Sequence, residues 1–289
     1  MKLNKIISHY DLDGVVSAAL LSYKTGIKSI IFVEAIRYQR IDKKTILADL
    51  EFSPKCGLWF DHHISNKTDK KFQGSFRLEK SCARVIYNYY NKEFSYYFKN
   101  LVDLLDKADS GSFTKEDVQQ QTSLYLLNMA GLFYPFKNKK IKNKFLNKLL
   151  EQILQEKEID EIVEEPIIKE VITNYKRELK KTLDYIRKEK RIISKNILYL
   201  DSSKKLISDP FAVYIQNPQI IYFMRVTPNK KKNQIGIFVA KNKYKDAESA
   251  NIGEIMKKYG GGGHPGIGGC RINKKDKDKI IPEIIKALT

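Results

Sequence analysis

The four histidines of this 289-residue sequence lie beside residues that could bind a metal ion or an anion. Three of them follow or precede aspartates, in the segments HYDLDG and FDHH, and the fourth, His264, lies inside a glycine cluster. A single histidine is usually an ordinary core or surface residue, but here that explanation would have to hold separately at each position. The pattern therefore indicates a functional site.

The segment HYDLDG offers one imidazole and two carboxylates on alternate residues. In an extended or looping segment, side chains two residues apart point the same way, so His9, Asp11 and Asp13 could converge on one side of a loop. This mixed ligand set suits Mn²⁺, Mg²⁺ or Fe²⁺ better than an ion that prefers thiolates. Gly14 would allow a tight exit from the loop into a helix.

The segment DHH follows a short apolar run that ends in WF. A carboxylate beside an imidazole can fix the tautomer of the ring while the imidazole binds a metal. Carboxylates paired with histidines are what a two-metal site requires, because two ions about 3.5–4 Å apart can activate a water and stabilise both oxygens of a displacement at phosphorus. Together the two segments predict this chemistry more specifically than either does alone.

The glycine cluster GGGGHPGIGG is the third element. Runs of glycine let backbone N–H groups approach an anion closely, and His264 could add a hydrogen bond or a charge to a phosphate. A flexible turn between strands would explain a bare glycine run equally well. The histidine within the run favours phosphate binding.

Short apolar runs position the first two segments. LNKIIS, IKSIIFVEA, KTILAD and CGLWFD each end near an acidic residue or a histidine, and helical stretches lie between some of them. Strands that alternate with helices predict a parallel α/β sheet, in which ligands collect at the carboxyl ends of the strands. We therefore expect His9, Asp11, Asp49, Asp61 and His62 along that edge.

The rest of the chain predicts a helical stretch and a second, smaller α/β domain. Ser81 is a plausible N-cap of a helix in SCARVIYNYY, and Pro166 interrupts the charged helical pattern between about 120 and 195. Strand-like runs return from about 197. We predict an α/β protein with a parallel-sheet N-terminal domain over 1–125, a helical connector over 126–195 and a C-terminal domain over 196–289. One apolar stripe at helical spacing marks the connector: Tyr175, Leu179, Leu183 and Ile186.

Composition limits the class of protein. The net charge of +19 favours an anionic partner, although a generally lysine-rich surface would produce the same value. The three cysteines are scattered and predict buried thiols, neither a disulfide framework nor a zinc site. Neither a signal peptide nor an apolar run long enough to cross a bilayer is evident, so we expect a cytoplasmic protein.

These motifs resemble those of the DHH phosphoesterases. HYDLDGVVSAAL, the aspartate in ILADLEF, FDHHISN and KADSGSF are similar to the four N-terminal motifs of that family, in the family's order. YGGGGHPGIGGC is similar to the signature of the C-terminal DHH-associated domain. The resemblance implies a hydrolase that binds two Mn²⁺ ions, with Mg²⁺ or another divalent ion as the alternative.

The resemblance also implies a role for each matching residue. Asp61 would orient His62, and His63 would face the substrate phosphate. Asp109, rather than Asp106 three residues earlier, matches the family's aspartate near a helix end. One ion would be held by His9, Asp11 and Asp49, and the other by Asp13, Asp49, His62 and Asp109. The second domain would grip the substrate with Gly261, Gly262, Gly263 and His264, and with Arg225 or Lys241 on the preceding strands.

The favoured function is hydrolysis of short oligonucleotides to mononucleotides by a water that two metal ions activate. Alternative substrates are polyphosphate or pyrophosphate, cyclic dinucleotides and nucleoside bisphosphates. A protein that binds nucleic acid without catalysis is the alternative from another class, but no metal ligand of the family pattern is missing. A homodimer is one possible oligomeric state. One acid-free basic cluster could contact a polyanion or merely be solvated: Lys137, Lys139, Lys140, Lys142, Lys144 and Lys148.

Overall fold

The computed structural model describes residues 2–36, 39–189, 191–194, 196–201, 206–207, 209–229, 233–248 and 250–289. The chain divides into two compact units. The first comprises Met1–Asp117 and Gln121–Tyr175, and the second comprises Val118–Gln120 and Lys176–Thr289. The connector predicted over 126–195 is thus split at residue 175 between the two units. The exact domain boundaries stay predictions.

A five-stranded parallel sheet lies at the centre of the first unit. Its strands are β1 (Lys5–His9), β2 (Ile30–Val33), β3 (Thr45–Ala48), β4 (Leu58–Asp61) and β5 (Gly74–Phe76), in the order β2-β1-β3-β4-β5. Every neighbouring pair is parallel. All four residues of β3 are buried, as is typical of parallel strands covered on both faces. The predicted α/β class is confirmed.

In the described part of this unit, α1 follows β1 and the other α-helices come after β5. Most of α1 is buried, and Ser81 caps α2 because its Oγ accepts a hydrogen bond from the Arg84 N–H at 3.0 Å. Pro166 begins α8, where proline is tolerated because the first turn needs no internal donor. The helices that begin before residue 176 are α1 (Leu12–Thr25), α2 (Cys82–Tyr89), α3 (Tyr96–Asp109), α4 (Lys115–Gln120), α5 (Ser123–Phe133), α6 (Lys139–Leu154), α7 (Ile159–Ile162) and α8 (Pro166–Glu189).

The second unit is built on a mixed sheet. Its strand order is β10-β11-β9-β8-β7-β6, and among its pairs β7 and β8 are parallel while the others are antiparallel. A buried cluster on this sheet includes Met224, Ile237, Ile252 and Ile284. The elements are β6 (Arg191–Ile193), β7 (Ile197–Asp201), α9 (Pro210–Gln216), β8 (Tyr222–Asn229), β9 (Gln234–Lys241), α10 (Ile252–Lys257), β10 (Gly262–His264), β11 (Ile267–Asn273) and α11 (Lys277–Leu288).

Gly14 fixes the approach of α1 to the end of β1. A Cβ at this position would lie 2.1 Å from the His9 carbonyl oxygen, which is far inside contact distance. The Gly14 carbonyl in turn accepts a hydrogen bond of 2.7 Å from the buried Ser8 hydroxyl. The glycine that ends HYDLDG is therefore required by close backbone packing.

We predict that Gly14→Ala lowers the free energy of unfolding by about 1–3 kcal/mol, since the added methyl group forces the helix away from β1. Chemical denaturation measures the change. The matched control is Gly131→Ala within α5, where the new Cβ would meet only Phe145 Cε1, at 3.7 Å. Alanine is favoured over glycine inside a helix by about 0.5–1 kcal/mol, so the control should be neutral or more stable. Equal stability of the two variants would contradict the packing argument.

Candidate metal centre

Three neighbouring strands deliver the candidate ligands to one edge of the sheet. The strands β1, β3 and β4 lie side by side in parallel, so their carboxyl ends meet. His9 ends β1, Asp49 follows β3, and Asp61 ends β4 immediately before His62. The sequence prediction that these residues share the carboxyl edge is borne out by their positions.

The first ligand group consists of His9, Asp11 and Asp49, whose ligand atoms all lie within 4.8 Å of one another. The His9 Nδ1 lies 2.6 Å from Asp11 Oδ2 and 3.6 Å from Asp49 Oδ2. Asp11 is also the N-cap of α1, because its Oδ1 accepts a hydrogen bond of 2.9 Å from the Gly14 N–H. Capping thus fixes one carboxylate oxygen and points the other toward His9.

The second group consists of Asp13, His62 and Asp109. The His62 Nε2 lies 3.6 Å from Asp13 Oδ2 and 3.4 Å from Asp109 Oδ2. The same nitrogen is 3.7 Å from Asp49 Oδ1, so Asp49 faces both groups through its two oxygens. This is the arrangement that the resemblance implies for a bridging carboxylate. The assignment of the six residues as metal ligands stays a prediction.

Asp13 is held by backbone donors from α2. Its Oδ2 accepts a hydrogen bond from the Cys82 N–H at 2.7 Å, and its Oδ1 accepts one from the Ala83 N–H at 3.0 Å. These are orphan N–H groups at a helix N-terminus, where a carboxylate is stabilised. The sequence analysis did not identify these donors, although the predicted Ser81 cap marked the start of the helix that supplies them.

Asp49 adopts a backbone conformation that is uncommon for a residue other than glycine. Its φ is 57°, in the left-handed region, while its N–H still donates to the Phe60 carbonyl on β4. Asp and Asn are among the side chains that tolerate this region best. The side chain is buried at the point where β3 ends, between the two ligand groups.

The buried polar atoms of the site fit a cation. Among the described residues, Asp49 Oδ1 and His62 Nε2 are buried without a hydrogen-bond partner. Buried polar atoms are nearly always satisfied, and exceptions call for an explanation such as an ion. Carboxylate oxygens and an imidazole nitrogen are ligands that Mn²⁺ and Mg²⁺ sites use, so the residues present fit the metals that the resemblance implies.

Mutual repulsion of the carboxylates supports the same conclusion. Burial, followed by the charges of Asp13, Asp11 and Asp109, raises the pKa of Asp49 well above its usual range. Burial and the charges of Asp13 and Asp11 raise the pKa of Asp109 to about 9. A divalent ion would offset this repulsion and allow both groups to ionise.

Asp61 and the two adjacent histidines differ from the prediction. The Asp61 carboxylate accepts from the His62 backbone N–H at 2.8 Å and lies 2.9 Å from the His63 ring at Nδ1. The His62 ring is instead held at Nδ1 by the Glu79 carbonyl, 3.1 Å away. Asp61 therefore orients the ring of His63 and only the main chain of His62. A backbone carbonyl seventeen residues away carries no signal in the sequence.

The structure separates Asp109 from the neighbouring aspartate that spacing alone left open. Asp106 accepts hydrogen bonds from the Ser81 hydroxyl and from Arg84, at 2.7 and 2.8 Å. Asp109 lies at the end of α3, with Oδ2 near His62. Asp106 thus supports the start of α2, and Asp109 takes part in the ligand group.

The glycine cluster of the second unit forms a tight hairpin between β10 and β11. A Cβ at Gly261 would lie 2.1 Å from the Gly269 carbonyl oxygen, and Gly263 has a φ of 147°. Close strand approach therefore accounts for these two glycines, whereas a Cβ at Gly262 would meet nothing within 4 Å. His264 is exposed at the end of β10. The predicted contact of these residues with substrate stays a prediction.

The two basic candidates on β8 and β9 are engaged within their own unit. The Arg225 guanidinium donates to the Leu206 carbonyl at 2.8 Å, and burial lowers its pKa. The Lys241 ammonium donates to the Ala247 carbonyl at 2.9 Å. Both contacts hold loops of the second unit. The role of Arg225 or Lys241 in substrate binding stays a prediction.

The remaining composition-based expectations concern cysteines and membranes. Cys56, Cys82 and Cys270 are free and buried, as predicted. Within the described residues, the longest helices are too short or too polar to cross a bilayer.

Comparison with solved structures shows one extensive similarity. The pGpG-specific phosphodiesterase PggH from Vibrio cholerae is 26% identical, with a TM-score of 0.77 over 98% of this chain and 99% of that one. An exopolyphosphatase-related protein from Bacteroides fragilis is 12% identical, with a TM-score of 0.55 over 99% and 92% of the two chains.

A further match is RecJ from Thermus thermophilus in complex with Mn²⁺. It is 12% identical, with a TM-score of 0.57 over 98% of this chain and 51% of that chain. No family model matches the sequence, and no curated protein sequence matches it. The structural neighbours are DHH-family phosphoesterases, so the predicted resemblance is confirmed and the chain has the fold of that family.

The crowded carboxylates predict that rising pH lowers the stability of the metal-free protein and increases the stabilisation by bound metal. The raised pKa of Asp109, about 9 against an ordinary 3.8, means that the folded metal-free protein holds a proton that the unfolded chain releases. Between those values the contribution of this group to stability falls as pH rises. Metal ligands must lose their protons to bind, so the stabilisation by Mn²⁺ should grow with pH.

Thermal unfolding at about pH 6 and about pH 8, with EDTA or with Mn²⁺, checks this prediction. The difference in Tm between the samples with Mn²⁺ and those with EDTA should be larger at the higher pH. A difference that stays constant or shrinks as pH rises would contradict the proposed protonation of the metal-free site.

Proposed function

We propose that this chain is a divalent-metal-dependent phosphodiesterase that hydrolyses short linear oligonucleotides to mononucleotides. The observation that carries the proposal is the pair of ligand groups joined by the buried carboxylate of Asp49. The similarity to the pGpG-specific phosphodiesterase PggH supports hydrolysis of a phosphodiester, and pGpG is a linear dinucleotide.

Two ions are the proposed cofactor, and Mn²⁺ is the preferred metal. His9, Asp11 and Asp49 would hold one ion, and Asp49 would share the other with the second group, Asp13, His62 and Asp109. When bound, such ions supply an activated water and neutralise the charge that develops on phosphorus. The mixed imidazole and carboxylate ligands suit Mn²⁺, and Mg²⁺ is the alternative.

His63 is the proposed contact to the scissile phosphate. Its Nδ1 is fixed at 2.9 Å from Asp61, whose second oxygen accepts from the Asn66 amide at 2.7 Å. This bonding holds the ring orientation and occupies Nδ1, so that Nε2 of the protonated ring could donate to a phosphate oxygen. The hydrogen bond and charge of Asp61 also raise the pKa of His63 despite burial, which favours the protonated, donating ring.

Exposed lysines within α6 are proposed to attract the polyanionic substrate. Lys139, Lys140 and Lys144 are exposed, whereas Lys148 is paired with Glu151 at 2.8 Å. Each exposed lysine that neutralises a phosphate of a single strand should add a salt-dependent term to affinity, with a slope near −0.7 per phosphate.

We predict that Asp49→Asn lowers kcat on a 5′-phosphorylated dinucleotide by at least about a hundredfold and lowers the bound metal content. Asparagine tolerates the left-handed backbone of this position, so the fold should persist. Steady-state kinetics, metal analysis and circular dichroism measure the three properties. The control is Asp69→Asn in an exposed loop, which should leave all three unchanged. A variant that turns over normally with Mn²⁺ would refute the two-metal assignment.

A substrate panel then tests the proposed specificity. It compares dinucleotides, longer single strands, cyclic dinucleotides, nucleoside bisphosphates and polyphosphate under one set of conditions. Oligonucleotides of about two to five units should be the preferred substrates, with inhibition by salt that steepens as length grows. Equal or faster hydrolysis of polyphosphate would replace the oligonucleotide proposal with an exopolyphosphatase.

We predict a separate effect for His264→Ala in the second unit. The exposed imidazole is proposed to donate a charge-assisted hydrogen bond to substrate, so its loss should lower kcat/KM by about tenfold to a hundredfold. The bound metal content should not change, because the proposed ligands all belong to the first unit. Loss of metal from this variant would instead make His264 a ligand.

A further inference from the structure

A cavity of about 610 Å³ in the first unit lies beside the proposed metal centre and has no part in the proposed hydrolysis. Three segments line it: the residue after β1, the end of β2 with the following loop, and the segment from the end of α5 into α6. Its connection to the metal centre is direct, because the Tyr10 ring in its wall lies 4.9 Å from the His9 ring.

Aromatic rings form part of the wall. Tyr10, Tyr134 and Phe136 all line the cavity and are half-buried, so each ring keeps an accessible surface. Tyr134 and Phe136 meet edge to face, with ring centroids 5.0 Å apart. Aromatic side chains of this kind supply stacking surfaces for nucleobases, since every base presents a flat π-face.

The polar groups of the cavity combine an acceptor with a donor. Glu34 lines the cavity and is exposed, and burial followed by the charge of Glu34 raises the pKa of Tyr10. Across the Tyr10 ring, the Lys142 ammonium lies 3.4 Å from the ring centroid. Burial lowers the pKa of Lys142 to about 8, while the charges of Asp11 and Glu34 act against that shift and keep the ammonium form at neutral pH. In the part of the chain that the structure describes, Lys142 forms no ion pair with a carboxylate. Its charge remains available to a ligand.

We propose that this cavity binds a guanine base of the substrate, with Glu34 accepting hydrogen bonds from N1–H and N2–H₂ and Lys142 donating to O6 or N7. This assignment rests on the proposed function, because it places the base next to the scissile phosphate. Tyr10 in the cavity wall follows His9 in the chain, and the two ring centroids lie 4.9 Å apart, so a nucleotide with its phosphate at the His9 group would have its base near this wall.

The chemistry of the cavity distinguishes guanine from adenine. Guanine presents two adjacent donors on its Watson–Crick edge, which one carboxylate accepts together, and two acceptors, O6 and N7, which a lysine recognises. Adenine lacks both the N1–H donor and the O6 acceptor. A carboxylate would meet its N1 lone pair unfavourably, so the combination of Glu34 with Lys142 selects against it.

The test compares kcat/KM for pGpG and pApA between the wild-type protein and Glu34→Gln. The wild-type protein should prefer pGpG by about tenfold or more, and the variant should lose most of that preference through a fall in the rate on pGpG. Glu93→Gln is the matched control, since Glu93 is also an exposed glutamate of the first unit and lies outside the cavity. It should keep the wild-type preference.

Binding of GMP and AMP to the protein in EDTA separates this inference from the proposed function. The cavity predicts tighter binding of GMP than of AMP and loss of that difference in Glu34→Gln. Selective GMP binding without hydrolysis of any dinucleotide would support the base site and refute the phosphodiesterase. Hydrolysis of pGpG and pApA at equal rates, or a guanine preference that Glu34→Gln leaves intact, would overturn the base site and leave the phosphodiesterase standing.

Discussion

The repulsion between buried carboxylates at the edge of the parallel sheet is the constraint on which this structure depends. The effect is largest at Asp49, which is buried and lies near the negative charges of Asp11, Asp13 and Asp109, so that its pKa is raised well above the usual range. Without a counter-charge, such groups retain protons at pH values where an exposed aspartate is ionised. The fold therefore holds several acids where their ionised forms are unfavourable without a counter-charge, which bound divalent ions would supply. The free energy of ion binding is then linked to the stability of the first unit.

Backbone hydrogen bonds hold two of these acids in position. Asp11 caps α1, and Asp13 accepts from the first N–H groups of α2, so two of the carboxylates are fixed by helix N-termini. The partial positive charge of those termini also moderates the repulsion. Gly14 lets α1 begin directly against His9, which sets the separation between the imidazole and the Asp11 cap. The positions of Asp11 and Asp13 are thus set by the starts of α1 and α2, through hydrogen bonds between their carboxylates and the first backbone N–H groups of those helices.

Local sequence patterns predicted the parts of the site that depend on strand ends and helix starts. Alternation of strands and helices placed His9, Asp49 and Asp61 at one edge, and the Ser81 cap marked α2. Spacing could not separate Asp106 from Asp109, since both lie in the last turns of α3 and only tertiary contacts assign them. The contact of His62 with the Glu79 carbonyl could not be predicted either, because a backbone carbonyl is present at every residue and leaves no signal in the sequence. In the glycine cluster, close strand pairing explains part of a pattern that sequence alone related to phosphate.

The segment HYD couples the metal centre to the aromatic cavity through alternating residues. His9 and Asp11 contribute to one ligand group, whereas Tyr10 between them lines the cavity together with Lys142. Three consecutive residues can therefore supply two proposed metal ligands and one wall of the cavity, with the Tyr10 ring 4.9 Å from the His9 ring. A base held against that wall would fix the position of its phosphate relative to His9 within the length of one nucleotide. Selection of the base and alignment of the phosphate would then be coupled, because a misplaced base also misplaces the reacting phosphate. Small displacements from a productive geometry greatly reduce reaction rates. Specificity of this kind would be expressed in kcat as well as in KM, unlike the uniform binding that a basic surface helix provides.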